Sequence, residues 1–318
     1  MPRLSTGQSS TQPDTVDAAQ ATAKRCGHVA LIGAPNAGKS TLLNRLVGSK
    51  LAIVTPKPQT TRTRLLGIAI EDRAQIIYVD TPGIFAPRRR LDRAMVAAAW
   101  SGVEDADRTV FLVDAARGVD RDTRGIIDRL GERGQEAILA LNKIDLVRRD
   151  NLPALADKLS REGRFDPVFM ISGRTGDGVD DLKRHLAAAL PPGPWLFPED
   201  QLSDMPERVI AAEVTREQVF LQLRDELPYG SAVETERWED KKDGSARIEQ
   251  VIFVQRPSQR AIVLGEGGQR IKAIGARARA ELEHLLDRRV HLFLFVKVRE
   301  NWIEDRERYA ALGLDYDV

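Results

Sequence analysis

The chain has 318 residues, of which 42% are hydrophobic and 30% are charged, and its formal net charge is +1. This length predicts about two domains, and the balanced charge indicates neither nucleic acid nor a membrane as the partner of the whole chain. A single cysteine, Cys26, excludes an internal disulfide and fits a reducing compartment. No apolar run approaches the roughly 20 residues that a membrane-spanning helix needs.

The N-terminal segment is rich in Ser, Thr, Gln and Ala and has no apolar core. It is therefore not a secretory signal, and Asp14 and Asp17, together with few arginines, argue against a mitochondrial presequence. We expect a disordered tail over residues 1–25 and a cytoplasmic protein.

A glycine-rich loop follows the first apolar run. Residues 28–32 predict a strand, and residues 41–46 predict a helix that ends near Gly48. The sequence between them matches the G-x-x-x-x-G-K-S phosphate-binding pattern, and its strand–loop–helix context argues against an incidental turn. In such a loop the lysine reaches the β- and γ-phosphates and the hydroxyl binds Mg²⁺. The predicted nucleotide-binding residues here are Gly33, Ala34, Pro35, Asn36, Ala37, Gly38, Lys39, Ser40 and Thr41.

A polar loop and a second motif follow. Either threonine of the loop Gln59–Arg64 can complete an Mg²⁺ shell when a γ-phosphate is bound, although such a loop taken alone is more often ordinary surface. The strand predicted at 74–79 then ends in Asp80, Thr81, Pro82 and Gly83. An aspartate there can hold Mg²⁺ through water, and the glycine can offer its N–H to the γ-phosphate. An isolated D-x-x-G is usually a turn, but its place at a strand end after a P-loop predicts a phosphate sensor.

A third motif predicts recognition of guanine. Strands predicted at 109–113 and 137–141 flank a helical stretch from 121 to 133, and the second strand ends in Asn142, Lys143, Ile144 and Asp145. The carboxylate can accept hydrogen bonds from N1 and the 2-amino group of guanine, donors that adenine lacks, so the motif favours GTP over ATP. The asparagine can brace the phosphate loop and the lysine stem can cover the purine. The last predicted strand of this domain, 168–171, leads to Ser172 and Gly173. Backbone N–H groups there can contact guanine O6, which is the weakest of the predicted contacts.

Strands that alternate with helices predict a mostly parallel sheet whose ligand lies at the carboxyl ends of the strands. We therefore predict an α/β P-loop GTPase domain over residues 26–192, ended by the prolines at 191–194. A linker over residues 193–206 and a smaller α+β domain over residues 207–318 follow.

The second domain has the element order of a type II KH domain. We predict a helix at 207–223, strands at 231–238 and 247–254, a further helix, a G-x-x-G loop at 265–268, a helix to about 286 and a strand at 290–298. Such a loop clamps single-stranded nucleic acid. Residues 256–299 contain ten Lys and Arg against four Asp and Glu, which supports RNA binding. The predicted RNA-binding residues are Gly265, Glu266, Gly267, Gly268, Arg270, Ile271, Lys272 and Arg277. We expect the acidic Glu266 to point away from RNA or to weaken its binding modestly.

These motifs resemble the first four sequence boxes of translation-factor-related GTPases. The P-x-N form of the P-loop and the T-T-R of the second box are similar to the TrmE–Era–EngA branch, and the KH domain is typical of its Era family. The resemblance implies that Asn36 binds a potassium ion that bridges the phosphates. It also implies that Mg²⁺ is held by Ser40 and by Thr61 rather than Thr60, with Asp80 acting through water. The residues expected to act in hydrolysis are Lys39, Asn36, Thr61 and Gly83.

The resemblance further implies a function. It predicts a GTP-hydrolysing switch that uses GTP, Mg²⁺ and K⁺, binds the 3′ end of 16S small-subunit ribosomal RNA and assists maturation of the 30S subunit. Loose association with the inner membrane surface is also implied, and we expect a monomer. Ile84 replaces the water-positioning glutamine of Ras-like enzymes, which implies slow hydrolysis, and Gly173 replaces the usual alanine of the fifth box without loss of its N–H.

Two other interpretations remain at this point. In one, the protein is an RNA-binding assembly chaperone in which GTP occupancy, rather than turnover, does the work; Ile84 favours it. In the other, the G domain has decayed and only RNA binding remains, but the intact sequence boxes argue against this interpretation.

Overall fold

The computed structural model describes residues 23–57, 60–224, 227–300 and 305–318. They form two units, each built on its own β-sheet. Residues 1–22 of the predicted tail lie outside this description. The end of that tail is wrongly predicted, because Arg25 already begins strand β1 (Arg25–Gly33) and pairs with Ala74 of the neighbouring strand.

The first unit alternates strands with helices, as predicted. Its further elements are α1 (Lys39–Val47), β2 (Leu65–Glu71), β3 (Ala74–Asp80), α2 (Arg90–Glu104), β4 (Arg108–Asp114), α3 (Arg121–Glu132), β5 (Ala137–Asn142), α4 (Leu152–Glu162), β6 (Phe165–Met170) and α5 (Val179–Ala189), with 3₁₀ turns at Ile144–Leu146 and Arg149–Asn151. The strand order is β2-β3-β1-β4-β5-β6, and β2 is antiparallel to β3 whereas the other described pairs are parallel. The predicted mostly parallel sheet is confirmed.

Helices cover both faces of this sheet, which explains why its strands read as continuous apolar runs. In β1, Val29 and Leu31 face the core cluster that contains Leu43 of α1. Ala30 and Ile32 face the opposite cluster, which includes residues of α2, α3 and α4. Because successive strand residues point to opposite faces, both sets are fully buried. Because strands β1 and β3–β6 run parallel, their carboxyl ends lie along one edge of the sheet. Every predicted nucleotide motif lies at this edge.

The second unit has three strands with helices on one face. Its elements are α6 (Glu207–Gln222), β7 (Ala232–Asp240), β8 (Ala246–Val254), α7 (Pro257–Leu264), a 3₁₀ turn (Glu266–Gly268), α8 (Gln269–Leu286), β9 (Val290–Val298) and α9 (Arg306–Ala311). Strand β8 is antiparallel to β7 and parallel to β9. Up to β9, the elements come in the order that the sequence predicted. None of the helices in the described ranges of the chain has the length and apolarity to cross a membrane.

The segment predicted as a linker lies against the first unit. The Gln75 amide donates to the Phe197 carbonyl at 2.8 Å and accepts from the N–H of Leu196 at 2.8 Å. Farther on, the Ser203 hydroxyl donates to the Leu66 carbonyl at 2.7 Å. These bonds attach the connection to strands β2 and β3.

The C-terminal segment returns to the first unit. Tyr309 and Leu314 are buried against Ala94 and Met95 of α2. The second unit therefore contacts the helix that follows the Asp80–Gly83 motif.

Four elements were not predicted: β2, α2, α4 and α9. Helix α2 shows why. Its N-cap is Arg89, and the cap is completed by the Asp92 carboxylate, which accepts the N–H groups of Arg88 at 3.1 Å and Arg89 at 3.0 Å. The usual Ser, Thr, Asp or Asn signal at the N-cap is absent from this helix.

A core substitution tests this packing. Phe111 is fully buried and its ring centroid lies 5.6 Å from that of Phe165. We expect Phe111→Ala to lower the free energy of unfolding of the first unit by about 3–5 kcal/mol, because a cavity replaces the ring. Urea unfolding measures this loss. As a control, Leu146→Ala removes a side chain that is 59% exposed, and should change stability by less than about 0.5 kcal/mol. Equal losses would contradict the assignment of this core.

Candidate nucleotide site and nucleic-acid interface

The phosphate loop joins β1 to α1 and opens onto a cavity of about 460 Å³. Gly38 ends the loop with φ at 97°, and a Cβ there would lie 2.3 Å from the Asn142 amide nitrogen. Only glycine fits this position. Helix α1 begins at the next residue, so its first N–H groups and positive dipole end are available to an anion in the cavity.

Lys39 lies buried beneath the loop. Its ammonium donates to the carbonyls of Gly33 at 3.0 Å and Ala34 at 3.3 Å. Burial lowers the pKa of this ammonium to about 8, against the opposing pull of the Asp80 carboxylate. A bound phosphate would supply further negative charge and raise the pKa again. The ammonium is therefore held where it can neutralise negative charge on a bound nucleotide.

Three oxygen-bearing side chains meet at the cavity wall. The Ser40 hydroxyl lies 2.8 Å from Asp80 Oδ2 and 2.9 Å from the Thr61 hydroxyl, which itself lies 3.2 Å from Asp80 Oδ2. Burial raises the pKa of the Asp80 carboxyl, although Lys39 and the two hydroxyls oppose this shift. The other oxygen of Asp80 is buried without a hydrogen-bond partner among the described residues. Hard oxygen donors with one unsatisfied carboxylate atom fit Mg²⁺.

Both candidate threonines line the cavity, but their other contacts differ. Thr61 belongs to this oxygen cluster, whereas the Thr60 carbonyl accepts a hydrogen bond from Arg216 of the second unit. Gln59, the first residue of the predicted second box, lies outside the described residues.

The Asp80–Gly83 motif lies against the phosphate loop. The N–H of Ile84 donates to the Gly33 carbonyl at 3.1 Å, and Thr81 Oγ1 donates to the Leu31 carbonyl at 2.9 Å. Gly83 lines the cavity. The Ile84 side chain, in contrast, is buried in the core cluster under α2 and has no polar group to offer to a water molecule.

The predicted base-recognition residues meet on the same edge. Asn142 donates to the Ala37 carbonyl at 2.8 Å and accepts from the N–H of Gly173 at 2.9 Å, so it connects the phosphate loop to the fifth box. Lys143 has φ at 66° and its ammonium lies 2.6 Å from Asp114 Oδ2. The N–H of Gly173, predicted to contact guanine, is thus already paired with Asn142.

Asp145 is held from two sides. Its carboxylate accepts from the Ser172 hydroxyl at 2.7 Å and lies 2.9 Å from the Arg174 guanidinium. The Arg174 side chain is 74% exposed, so an entering guanine can displace it from the carboxylate. Ser172 is fully buried and keeps the acid in place.

The cavity is also lined by residues that the sequence did not predict: Ile53, Val54, Thr55, Pro56, Asp114 and Arg117. Asp114 ends β4 and Arg117 follows it; both line the cavity. The Arg117 guanidinium points to the Pro35 carbonyl at 3.4 Å and pairs with Asp120 at 2.9 Å. The rule that ligands bind at the carboxyl ends of parallel strands applies to Asp114 and could have identified it.

The second candidate site begins at the G-x-x-G loop. Gly265 has φ at 72°, and a Cβ there would lie 2.7 Å from the Arg270 Cβ, so the tight turn requires glycine. Glu266 is exposed, and the Arg270 guanidinium donates to the Ile262 carbonyl at 2.9 Å. The loop leads directly into α8, whose first N–H groups are available to a phosphate.

A groove of about 380 Å³ runs between α8 and β9. It is lined by Ile271, Lys272, Gly275, Ala276, Arg279, Leu292, Phe293 and Leu294. Of the predicted RNA-binding residues, Ile271 and Lys272 are therefore in the groove. Arg277 is an exposed residue on another face of α8 and does not line the groove, so its RNA contact stays a prediction. Residues 272, 275, 276 and 279 share the face of the helix that does line it.

Comparison with known proteins agrees with both sites. Residues 28–143 match the family model of 50S ribosome-binding GTPases, and residues 226–303 match the KH domain. The chain is 57% identical over 306 residues to GTPase Era from Rhizobium meliloti (strain 1021), which covers 96% of this chain and 97% of that protein. The chain belongs to the GTPase Era family. GTPase Era from Brucella suis biovar 1 (strain 1330) is 56% identical over 297 residues, covering 93% of this chain and 96% of that protein.

Solved Era structures have the same fold. A crystal structure of Era in complex with MgGDPNP and nucleotides 1506–1542 of 16S ribosomal RNA matches with a TM-score of 0.86 and 37% identity, over 91% of this chain and 99% of that chain. An Aquifex aeolicus Era variant bound to GDP·AlF4⁻ matches with a TM-score of 0.86 and 37% identity. The predicted family and fold class are confirmed.

Base recognition can be tested at Asp145. We expect Asp145→Asn to weaken GTP binding by about 100-fold or more, because the asparagine amide can accept only one of the two guanine hydrogen bonds, without the negative charge, and faces the other donor with its own NH2 group. Xanthosine triphosphate should become the preferred nucleotide, since the asparagine amide can donate to the 2-oxo group of xanthine. Competition binding with both nucleotides measures the preference.

Asp177→Asn is the matched control. Asp177 lies exposed in the loop after β6, which also contains Ser172, and its carboxylate accepts from the Thr175 hydroxyl at 3.0 Å. This variant should keep the preference for GTP. An unchanged preference in Asp145→Asn would contradict the assigned base contact.

Proposed function

We propose that this chain is a GTP-hydrolysing switch that binds the 3′ end of 16S ribosomal RNA and assists maturation of the 30S subunit. The observation that carries the proposal is the presence of both sites in one chain: a phosphate loop that opens onto a cavity, with Asn142 and Asp145 held on the same sheet edge, and a G-x-x-G loop followed by a helix that lines a groove. The matching Era crystal structure, which contains MgGDPNP and nucleotides 1506–1542 of 16S ribosomal RNA, supports both ligands. The proposed boundaries are 26–192 for the G domain and 207–318 for the KH domain.

In this proposal the chain binds and orients the triphosphate. The loop N–H groups and the start of α1 receive the β- and γ-phosphates, and the Lys39 ammonium balances their charge. Ser40 and Thr61 would hold Mg²⁺, with Asp80 acting through water. When bound, the ion neutralises charge that develops on the phosphate oxygens. Gly83 would offer its N–H to the γ-phosphate from the opposite wall.

Asn36 is the proposed potassium ligand. Its amide nitrogen donates to the Pro56 carbonyl at 3.1 Å, so the amide oxygen is the atom available to a cation. Asn36 and Pro56 both line the cavity. A potassium ion there would add positive charge beside the phosphates, where other GTPases use an arginine.

Occupancy without rapid turnover is the second candidate function. The observation that favours it is the burial of Ile84, which is 6% exposed. At the position after Gly83 this chain has no side chain that can orient an attacking water. The protein would then act as an RNA-binding assembly chaperone whose GTP-bound state does the work, with hydrolysis only resetting it.

The groove beside α8 is the proposed RNA site. Lys272 and Arg279 would contact phosphates, while Ile271 and the apolar wall from β9 would contact unstacked bases. The resemblance to Era also carries the proposals that the protein is cytoplasmic, that it is a monomer and that it makes peripheral contact with the inner face of the cell membrane.

Potassium dependence is directly testable. We expect GTP turnover to be faster in KCl than in NaCl by about tenfold or more, because the ion stabilises charge in the transition state. Asn36→Ala should lower the rate in KCl to the rate in NaCl. Steady-state release of phosphate measures both rates.

The control for this comparison is Asn151→Ala, an exposed substitution at the N-cap of α4, remote from the cavity. It should keep the advantage of KCl. Equal turnover of the unaltered protein in the two salts would contradict the potassium proposal.

The RNA site is testable with two arginines on one helix. We expect Arg279→Ala to weaken binding of a single-stranded RNA that matches the 3′ end of 16S ribosomal RNA by about tenfold, and to reduce the slope of affinity against salt by about one. Fluorescence anisotropy at several salt concentrations measures both. Arg277→Ala removes an exposed arginine outside the groove and should change affinity by less than about twofold. Equal losses in the two variants would mean that diffuse charge, not the groove, attracts the RNA.

A further inference from the structure

The loop that carries Thr61 connects α1 to β2, and it lies against the second unit along much of its described length. Two arginines at this contact are almost fully buried: Arg62 is 7% exposed and Arg216 is 3% exposed. A guanidinium is buried only where acceptors compensate for lost water. The partners of these two side chains therefore show what the contact does.

Arg216 reaches from α6 to the loop. Its guanidinium donates to the carbonyl oxygen of Thr60 and pairs with Glu213, whose carboxylate accepts the Nε–H at 2.7 Å. The pair with Glu213 orients the guanidinium, and a charged donor makes a stronger bond to the carbonyl than a neutral one. The peptide plane before Thr61 is thus attached to the second unit.

Arg62 reaches in the opposite direction. Its guanidinium donates to the carbonyls of Ser231 at 2.8 Å, Tyr229 at 2.8 Å and Pro228 at 3.2 Å, in the segment that leads to β7. It also lies 5.7 Å from the centre of the Phe220 ring. The residue after Thr61 is thus attached to the second unit as well.

The upstream part of the loop is held by the same helix. Glu217 of α6 accepts the N–H of Val54 at 2.8 Å and the Lys50 ammonium at 2.7 Å. Lys57 donates to the carbonyls of Phe220 and Leu223 at the end of α6. Helix α6 therefore contacts the loop before and after residues 58–59.

We propose that the second unit positions Thr61 for the GTPase reaction through an interdomain clasp formed by Thr60, Arg62 and Arg216. Because peptide groups are planar, the position of Thr61 depends on the backbone torsions of its neighbours as well as its own. Hydrogen bonds that fix Thr60 and Arg62 therefore restrict where the Thr61 side chain can lie. In this proposal the clasp holds the Thr61 hydroxyl where it lies, 2.9 Å from the Ser40 hydroxyl. Arg216 is a positioning residue: it acts on the nucleotide through Thr61. This inference rests on the proposed GTPase function and names the residues that regulate it.

The same helix packs on the element that carries the RNA groove. Val219 of α6 and Ile274 of α8 are both fully buried in one core cluster. The Lys50 ammonium also lies 2.9 Å from Glu281 of α8. A shift of α8 on RNA binding is therefore transmitted to α6 and the clasp. The two binding events are then linked. A nucleotide that fixes Thr61 raises the affinity for RNA by the same factor by which RNA raises the affinity for that nucleotide.

The test replaces Arg216 in the full-length chain. Arg216→Met keeps an apolar stem but removes the donor, and Arg216→Lys restores one charged donor. Arg208→Met is the matched control, because Arg208 lies on the same helix and donates to the carbonyls of Thr235 at 3.0 Å and Glu236 at 3.1 Å within the second unit. Affinities for GDP and for a non-hydrolysable GTP analogue are measured with Mg²⁺, together with affinity for the 3′-end RNA in each state. The rate of hydrogen–deuterium exchange is measured in the nucleotide-free protein, for peptides that contain Thr60 and Thr61.

We expect Arg216→Met to weaken binding of the GTP analogue by about tenfold while GDP binding is unchanged, because only the triphosphate state uses Thr61. Exchange around Thr60 and Thr61 should become faster, and any effect of the analogue on RNA affinity should disappear. Arg216→Lys should recover part of each effect, and Arg208→Met should behave as the unaltered protein.

An unchanged ratio of analogue to GDP affinity in Arg216→Met, or an equal fall in Arg208→Met, would overturn the clasp. Unchanged exchange around Thr61 would overturn it as well. If the unaltered protein fails to bind GTP, the proposed function is wrong, but the exchange measurement still decides whether the clasp holds the loop.

Discussion

The nucleotide site depends on the burial of charge at one edge of a parallel sheet. Lys39 and Asp80 are both shielded from water there, and each has its pKa shifted toward the neutral form by burial. Two hydroxyls, from Ser40 and Thr61, satisfy one oxygen of the carboxylate. Such a site is stable only when every remaining polar atom finds a partner. A phosphate and a hard cation supply those partners, which is why the edge suits a nucleotide.

Thr61 connects this edge to the rest of the protein. Its hydroxyl belongs to the nucleotide site, while its two neighbours are bonded to the second unit. The contact uses buried guanidinium groups and backbone carbonyls, so its geometry is directional and cannot slide as an apolar contact can. The connecting segment 193–206 is likewise bonded to β2 and β3. A change in the relative position of the two units must therefore break specific hydrogen bonds rather than turn about a loose linker.

The success and failure of the sequence predictions have separate causes. The phosphate loop, the Asp80–Gly83 motif and the Asn142–Asp145 motif were predictable because each depends on a short stretch whose neighbours form a strand and a turn. Helix α2 was missed because its cap uses the Asp92 side chain in the first turn instead of an N-cap acid or hydroxyl. Charge counted along the sequence could not show which residues line the groove, because Lys272 and Arg279 share one face of α8 and Arg277 lies on another.

The sequence by itself determined the chemistry and the class of each domain: a P-loop GTPase fold, selection for guanine and a following KH domain. The fold class and the motifs can be predicted because they depend on the spacing of residues that are close together in the chain and on the periodicity of apolar residues within each element. Only the tertiary structure decided which parts of the two units touch. Arg216 and Thr60 are 156 residues apart in the chain. A guanidinium that bonds to a backbone carbonyl needs no particular residue type at the acceptor position, so no motif records that pairing.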